Sequence, residues 1–155
     1  MTVSYVFDTS ALITAWTEQY PPDTFPALWD SMDGLVQHGR LKAPEEVLKE
    51  LKSQDDVLHG WVTARTGQMV VPTSRAVMLE VSAILADHEH LTKTGPGRGK
   101  ADPFVIALAA QSGCPVVTQE RGGTASKPKI PYVCGQRGVP CMNVLAVLRA
   151  EGWSF

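Results

Sequence analysis

The chain reads as an α/β protein with a mostly parallel central sheet flanked by helices on both faces. Two observations predict this. Short β-prone runs near residues 4–7, 40–43, 69–71 and 115–118 alternate with helical patterns, and such alternation implies right-handed crossovers onto a parallel sheet. The 155 residues, 44% of them hydrophobic, suffice for one ordinary core and poorly for two. Residues 1–155 are therefore expected to form a single domain.

Each element has a local signal. Ser4, Tyr5, Val6 and Phe7 make the first strand, the polar Asp8, Thr9 and Ser10 turn the chain, and a helical pattern follows over residues 11–16. Tyr20, Pro21 and Pro22 break it. Phe25, Leu28, Trp29, Met32 and Leu35 stand at helical spacing in the next helix, closed by Gly39. An extended piece over residues 40–43 leads through Pro44 into a helix over residues 45–53, with Val47, Leu48 and Leu51 as its apolar stripe. A helix over residues 57–64 and a strand at Met69, Val70 and Val71 precede a long helix over residues 73–90. Residues 92–100 form a basic, glycine-rich loop. The helix over residues 101–112 is expected to have Asp102 as its N-cap, Pro103 in its first position and Gly113 just past its end. A buried strand at residues 115–118, a last strand at residues 130–134 and a helix over residues 143–150 complete the chain.

Composition narrows the function. A net charge of −2 lacks the basic excess of proteins held on nucleic acid by phosphate contacts alone, so any such binding must be local. Cys114, Cys134 and Cys141 lack zinc-ribbon spacing, and the protein is expected to have no secretory leader; the cysteines are then expected to be reduced, small core residues of a cytoplasmic protein. No apolar run approaches the roughly 20 residues that span a bilayer. The four tryptophans suit helical faces or core rims, and none is assigned to base stacking. Asp87, His88, Glu89 and His90 suggest a second metal site, but the two histidines point in different directions on a helix end, and a frayed terminus accounts for them.

Topology gathers four acids. Ligand sites of parallel sheets lie beyond the carboxyl ends of the strands. Asp8 follows the first strand and Glu120 follows the strand ending at Thr118, so both stand at that edge. The helix that starts at Asp102 runs down the sheet before the next strand runs back up, which places its amino terminus there too. Glu50 lies one to two turns into a helix entered from the same edge. Individually, Asp8 and Asp102 would pass as helix caps and Glu50 and Glu120 as surface acids. Four carboxylates in one pocket repel each other and persist around a divalent cation.

The segments 5–13, 43–51, 101–109 and 116–120 resemble, in order and spacing, the four signature blocks of PIN-domain ribonucleases, and they extend over most of the chain. The resemblance implies a PIN-like nuclease domain over residues 1–155 in which Asp8, Glu50, Asp102 and Glu120 are catalytic and bind Mg2+ or Mn2+, with Ser10 and Thr118 in support. Glu120 stands where many relatives have Asp, which leaves its contact to metal direct or through water. Glu46, one turn before Glu50, is a competing ligand; Glu50 is favoured because it immediately precedes Leu51, as in the family motif. The implied reaction is hydrolysis of RNA phosphodiester bonds by metal-activated water, leaving a 5′-phosphate and a 3′-hydroxyl.

RNA approaching an acidic pocket needs cations at its rim. Arg98 and Lys100 precede Asp102, and Arg121, Lys127, Lys129, Arg137 and Arg149 lie in a stretch without acids after Glu120; phosphate contacts and ordinary solvated surface account for them about equally. A haloacid-dehalogenase-type phosphatase also places an Asp after its first strand but needs a second Asp where Ser10 stands. A phosphoacceptor receiver needs paired acids that Thr2, Val3 and Ser4 do not supply. A PIN-like RNA- or protein-binding module without turnover is the non-enzymatic alternative, and the retention of all four acids argues against it. Within PIN domains, a small chain without appended RNA-binding modules resembles the VapC-type toxins of toxin-antitoxin pairs, which implies a homodimer and a cognate antitoxin. The segment 16–32 departs from the leanest of those toxins.

Overall fold

The computed structural model describes residues 4–92 and 100–155. Among them stand the strands β1 (Tyr5–Phe7), β2 (Leu41–Pro44), β3 (Val70–Val71), β4 (Val116–Val117) and β5 (Cys141–Met142), all parallel, in the order β3-β2-β1-β4-β5. Tyr5 pairs with Leu41 on one side of β1, and Val6 pairs with Val116 on the other. Because parallel strands are joined by right-handed crossovers, the connections running from β1 to β3 and those running toward β5 cover opposite faces. The sheet's direction of winding reverses between β1 and β4. Ligands bind at such switch points, beyond the carboxyl ends of the strands.

The helices are α1 (Thr9–Thr14), α2 (Pro26–Gln37), α3 (Glu45–Gln54), α4 (Asp56–Thr63), α5 (Thr66–Met69), α6 (Arg75–Asp87), α7 (Asp102–Ser112), α8 (Ile130–Arg137) and α9 (Val144–Ala150). Buried helix α7 is apolar nearly all round, since Val105, Ile106, Ala107 and Leu108 all lie in the core, as a helix sandwiched between the sheet and α6 must be. β1 is wholly buried, and its Tyr5, Val6 and Phe7 anchor the core cluster. At the amino end of the sheet, Tyr5 Oη donates to Glu151 Oε2 at 2.6 Å and Arg40 grips the same carboxylate with two bonds of 2.8 and 2.6 Å, which ties the carboxyl-terminal segment to β1 and β2.

Several expectations need correction. Residues 130–134 belong to helix α8, not to a last strand; Pro131 in the first turn and Gly138 in the left-handed C-cap are helix signals that outweigh the β-prone Val133. The last strand is β5 instead. Asp102 is not the N-cap of α7: Ala101 occupies that position, Asp102 is the first helical residue and Pro103 the second. The expected helix over residues 73–90 ends at Asp87 and gives way to a 3-10 turn, Glu89–Thr92. Cys114 and Cys134 are buried but Cys141 is exposed on β5. Arg98 lies outside the described residues. Among those described, no helix is long and apolar enough to cross a membrane.

The segment after α1 does not stop at residue 16. It widens into a π-helical turn, Ala15–Gln19, with the Tyr20 N–H donating to the Ala15 carbonyl at 2.8 Å. Trp16, Trp29 and Trp61 then meet edge to face, with centroids 4.7 Å apart for Trp16 and Trp29 and 5.3 Å for Trp29 and Trp61. The Arg65 guanidinium stacks 4.0 Å above Trp61 while bonding Asp33 at 2.6 Å, so the tryptophans form a core rim.

Candidate active site

Asp8 leaves β1 and caps α1. Its Oδ1 accepts from the Ala11 N–H at 2.7 Å, while its own N–H donates to the Val117 carbonyl of β4. The carboxylate also receives Ser10 Oγ at 3.0 and 2.9 Å and Thr118 Oγ1 at 2.5 Å. Thr118 in turn accepts from the Glu120 N–H at 3.1 Å, and Ser10 from the Gln119 N–H at 3.2 Å. The two hydroxyls predicted to support the site thus join the loops after β1 and β4 through Asp8.

Glu50 is buried on α3 and its Oε1 accepts from Thr9 Oγ1 at 2.8 Å. Glu120 is held from the other side, with the Ile130 N–H donating to its Oε2 at 3.1 Å. Asp102 has no hydrogen bond among the described residues; its position on the first turn of α7 faces it into the same space. Asp8, Glu50, Asp102 and Glu120 line one cavity of about 370 Å3, together with Thr9, Ser10 and Gln54. Glu46 is not part of it: its carboxylate lies 3.4 Å from Thr73 Oγ1 and 3.8 Å from Lys49 Nζ.

Electrostatics mark this cavity. Burial pushes Asp8 up to about 7 against the opposing bonds from Thr118, Ala11 and Ser10, and the charge of Glu120 adds to the rise. Burial pushes Asp102 up to about 9, helped by the charges of Glu120, Asp8 and Glu50. These are hard oxygen donors whose mutual repulsion a divalent cation would relieve. As the side chains stand, no three acids, histidines or cysteines among the described residues are grouped closely enough to share one ion. Glu50 and Glu120 are instead turned to Thr9 and Ile130. The donor chemistry fits Mg2+ or Mn2+, and closing around one requires these two long side chains to rotate.

The rim cations divide. Lys100 is exposed beside Glu46, Glu50 and Phe104 on one flank, and Arg121 is exposed next to Glu120 on the other. Lys127 and Lys129 are exposed on the loop entering α8. Gly123 folds that loop back at φ +107, where an added Cβ would come within 2.7 Å of the Lys129 nitrogen. Arg137 leaves the list of rim cations, because it bonds Glu80 at 3.0 Å and Asp87 at 3.3 Å and clamps α8 to α6. Arg149 lies away from the acids, beside Tyr20, Phe25 and Trp153. In the acidic run after α6, His88 packs edge to face on Tyr132 and His90 lies 3.5 Å from Glu89.

Sequence reading missed Thr9, which orients Glu50, and the amides next to the site. Gln119 Nε2 donates to Gln19 Oε1 at 2.5 Å, joining the π-helical turn to the loop after β4. A second cavity, of about 550 Å3, is lined by Gln19, Gln119, Arg121 and Asn143 and shares Thr14 and Glu120 with the acidic one. Only the π-turn, invisible in an ordinary helical pattern, brings Gln19 there.

Comparison with known proteins agrees with this architecture. No curated protein matches the sequence. The structure of VapBC2 from Rickettsia felis, bound to a DNA fragment from their promoter, aligns with a TM-score of 0.55 at 13% identity, over 91% of this chain and 98% of that one. FitAcB from Neisseria gonorrhoeae aligns with a TM-score of 0.51 at 16% identity, over 90% of this chain and 96% of that one. At such identities the likeness establishes the fold, and it is the PIN-like α/β fold that the four sequence blocks imply. The acids, the two supporting hydroxyls and the amide pair all fall within residues 5–155, the span matched by a family model, and the chain belongs to that family, described as a domain of unknown function (DUF4411).

Proposed function

We propose that the protein is a Mg2+- or Mn2+-dependent endoribonuclease and the toxin of a toxin-antitoxin pair. The observation that carries this reading is the cavity shared by Asp8, Glu50, Asp102 and Glu120, in which Asp8 and Asp102 are both held far above the ordinary carboxylate range. Such a pocket takes up either protons or a divalent cation, and an all-oxygen donor set selects Mg2+ or Mn2+ over zinc.

Asp8 and Asp102 would anchor the ion, and Glu50 and Glu120 would reach it by rotating. When bound, the ion supplies positive charge that lowers the pKa of an attacking water and stabilises the leaving 3′ oxygen. Ser10 and Thr118 hold the Asp8 carboxylate in its plane. Glu120, held by the Ile130 N–H through Oε2 in the metal-free protein, would exchange that bond for the ion. Lys100, Arg121, Lys127 and Lys129 draw the RNA backbone over a pocket that would otherwise repel it. The likeness to VapBC2 and FitAcB supports a cognate antitoxin as partner, and the resemblance of the sequence blocks to VapC-type toxins is the ground for proposing a homodimer.

The test is cleavage of a mixed RNA substrate by purified protein in Mg2+, Mn2+ or EDTA. Wild type is expected to cut only with metal, leaving 5′-phosphates, and Asp102→Asn to lose activity by at least about a hundredfold. Undiminished cleavage by Asp102→Asn, or cleavage in EDTA, would refute the reading.

A further inference from the structure

We propose that the cavity beside the acidic pocket is a nucleobase subsite, in which Gln19, Gln119 and Asn143 read the base next to the scissile phosphate and Arg121 takes the adjoining phosphate. This rests on the ribonuclease reading and extends it to sequence preference.

Four observations converge. The two cavities adjoin, since Thr14 and Glu120 line both, so a strand laid across the acids passes beside the second. Its volume of about 550 Å3 falls in the range of small-ligand sites. Its walls carry unspent hydrogen-bonding groups of both kinds. Gln19 Oε1 is taken by Gln119, which leaves Gln19 Nε2 as donor and Gln119 Oε1 as acceptor, each without a hydrogen bond among the described residues. Asn143 Oδ1 is taken by the Ala146 N–H in capping α9, and its amide nitrogen remains. Arg121 is exposed and has no ion pair among the described residues. Paired donors and acceptors match the polar edge of an unstacked base, while Pro131 and Met142 offer apolar surface to its face. Finally, the π-helical turn delivers Gln19. One residue more or less would rotate it by about 100° along the helix and off its partner, and π-turns are found frequently at functional sites.

The test combines two measurements on the full chain. First, kcat/KM is compared on short RNAs that differ only at the base beside the mapped cleavage position. Wild type is expected to prefer one base by about tenfold or more. Gln19→Ala and Gln119→Ala should flatten the preference to within about threefold, mainly through KM. Asn143→Asp, which keeps the capping oxygen but replaces the amide donor, should shift the preferred base. Second, backbone amide NMR shifts are followed on adding each of the four nucleoside 5′-monophosphates in EDTA. Perturbations at Gln119, Arg121 and Asn143 that disappear in Gln119→Ala are expected. Base preference and nucleotide shifts unchanged in all three variants would overturn the subsite while leaving the nuclease standing. Nucleotide shifts at these residues without RNA cleavage by wild type would sink the nuclease reading and leave a nucleotide site.

Discussion

Replacing Asp8 with Asn should stabilise the metal-free protein, and increasingly so as pH rises. The amide keeps an oxygen for the Ala11 N–H, and the Thr118 hydroxyl can turn to accept from the new NH2, so the cap survives. What is removed is the cost of ionising a buried carboxyl. Asp8 rises from 3.8 to about 7 on folding, so the folded protein binds more protons than the unfolded chain between those values, and stability falls as pH climbs through the window. With each tenfold difference in proton affinity worth about 1.4 kcal/mol, Asp8→Asn should gain roughly 2–3 kcal/mol over wild type between pH 5 and pH 8. That corresponds to about 5–10 °C in Tm for a chain of this size. Thermal unfolding in EDTA at pH 5, 6, 7 and 8 reads it directly. Mg2+ should then raise the Tm of wild type, more at pH 8 than at pH 5, and leave Asp8→Asn unmoved. A Tm difference between the proteins that is independent of pH, or an equal Mg2+ response, would refute the account of Asp8.

Two further outcomes are expected. Lys127→Glu with Lys129→Glu should weaken RNA binding and lower the slope of log affinity against log salt by about 2, while the Mg2+-induced Tm shift persists; an unaltered slope would return these lysines to ordinary surface. Glu151→Gln should cost about 1–3 kcal/mol in urea unfolding at pH 7, because the Arg40 guanidinium keeps its desolvation and loses its charged partner. Burial opposes ionisation of Glu151, yet Arg40 and Tyr5 hold its carboxyl below the usual range. Its contribution is therefore complete above about pH 5 and fades as pH drops through the folded value, so the cost of the substitution should shrink in acid.

What was legible in the sequence depended on how local the signal was. Asp8 was readable because a β-prone run, a capping acid and a helical pattern follow one another within a few residues, and strand direction then set Glu120 and Asp102 at the same edge. The segment 130–134 misled because Ile130, Tyr132 and Val133 favour strands residue by residue, whereas Pro131 and Gly138 act through helix ends. Strand β5 has only two residues between Pro140 and the Asn143 cap, too few to establish a period. The Gln19–Gln119 bond joins residues 100 positions apart and depends on a π-turn, so no window of sequence contains it. Glu50 lines the pocket, but its partner Thr9 carries no signal in the sequence, because a threonine on the first turn of a helix is unremarkable until the opposing helix is in place.

The short outer strands also govern how this protein can meet other chains. A sheet recruits a foreign strand when its border presents a run of unpaired backbone N–H and C=O groups. Here the borders are β3 and β5, of two residues each, with Pro72 directly after one and Pro140 directly before the other, residues that have no N–H to give. Neither border offers the length that strand addition requires. Association with another chain is thereby directed to side-chain surfaces, where a single substitution can change the choice of partner without disturbing the sheet that carries Asp8.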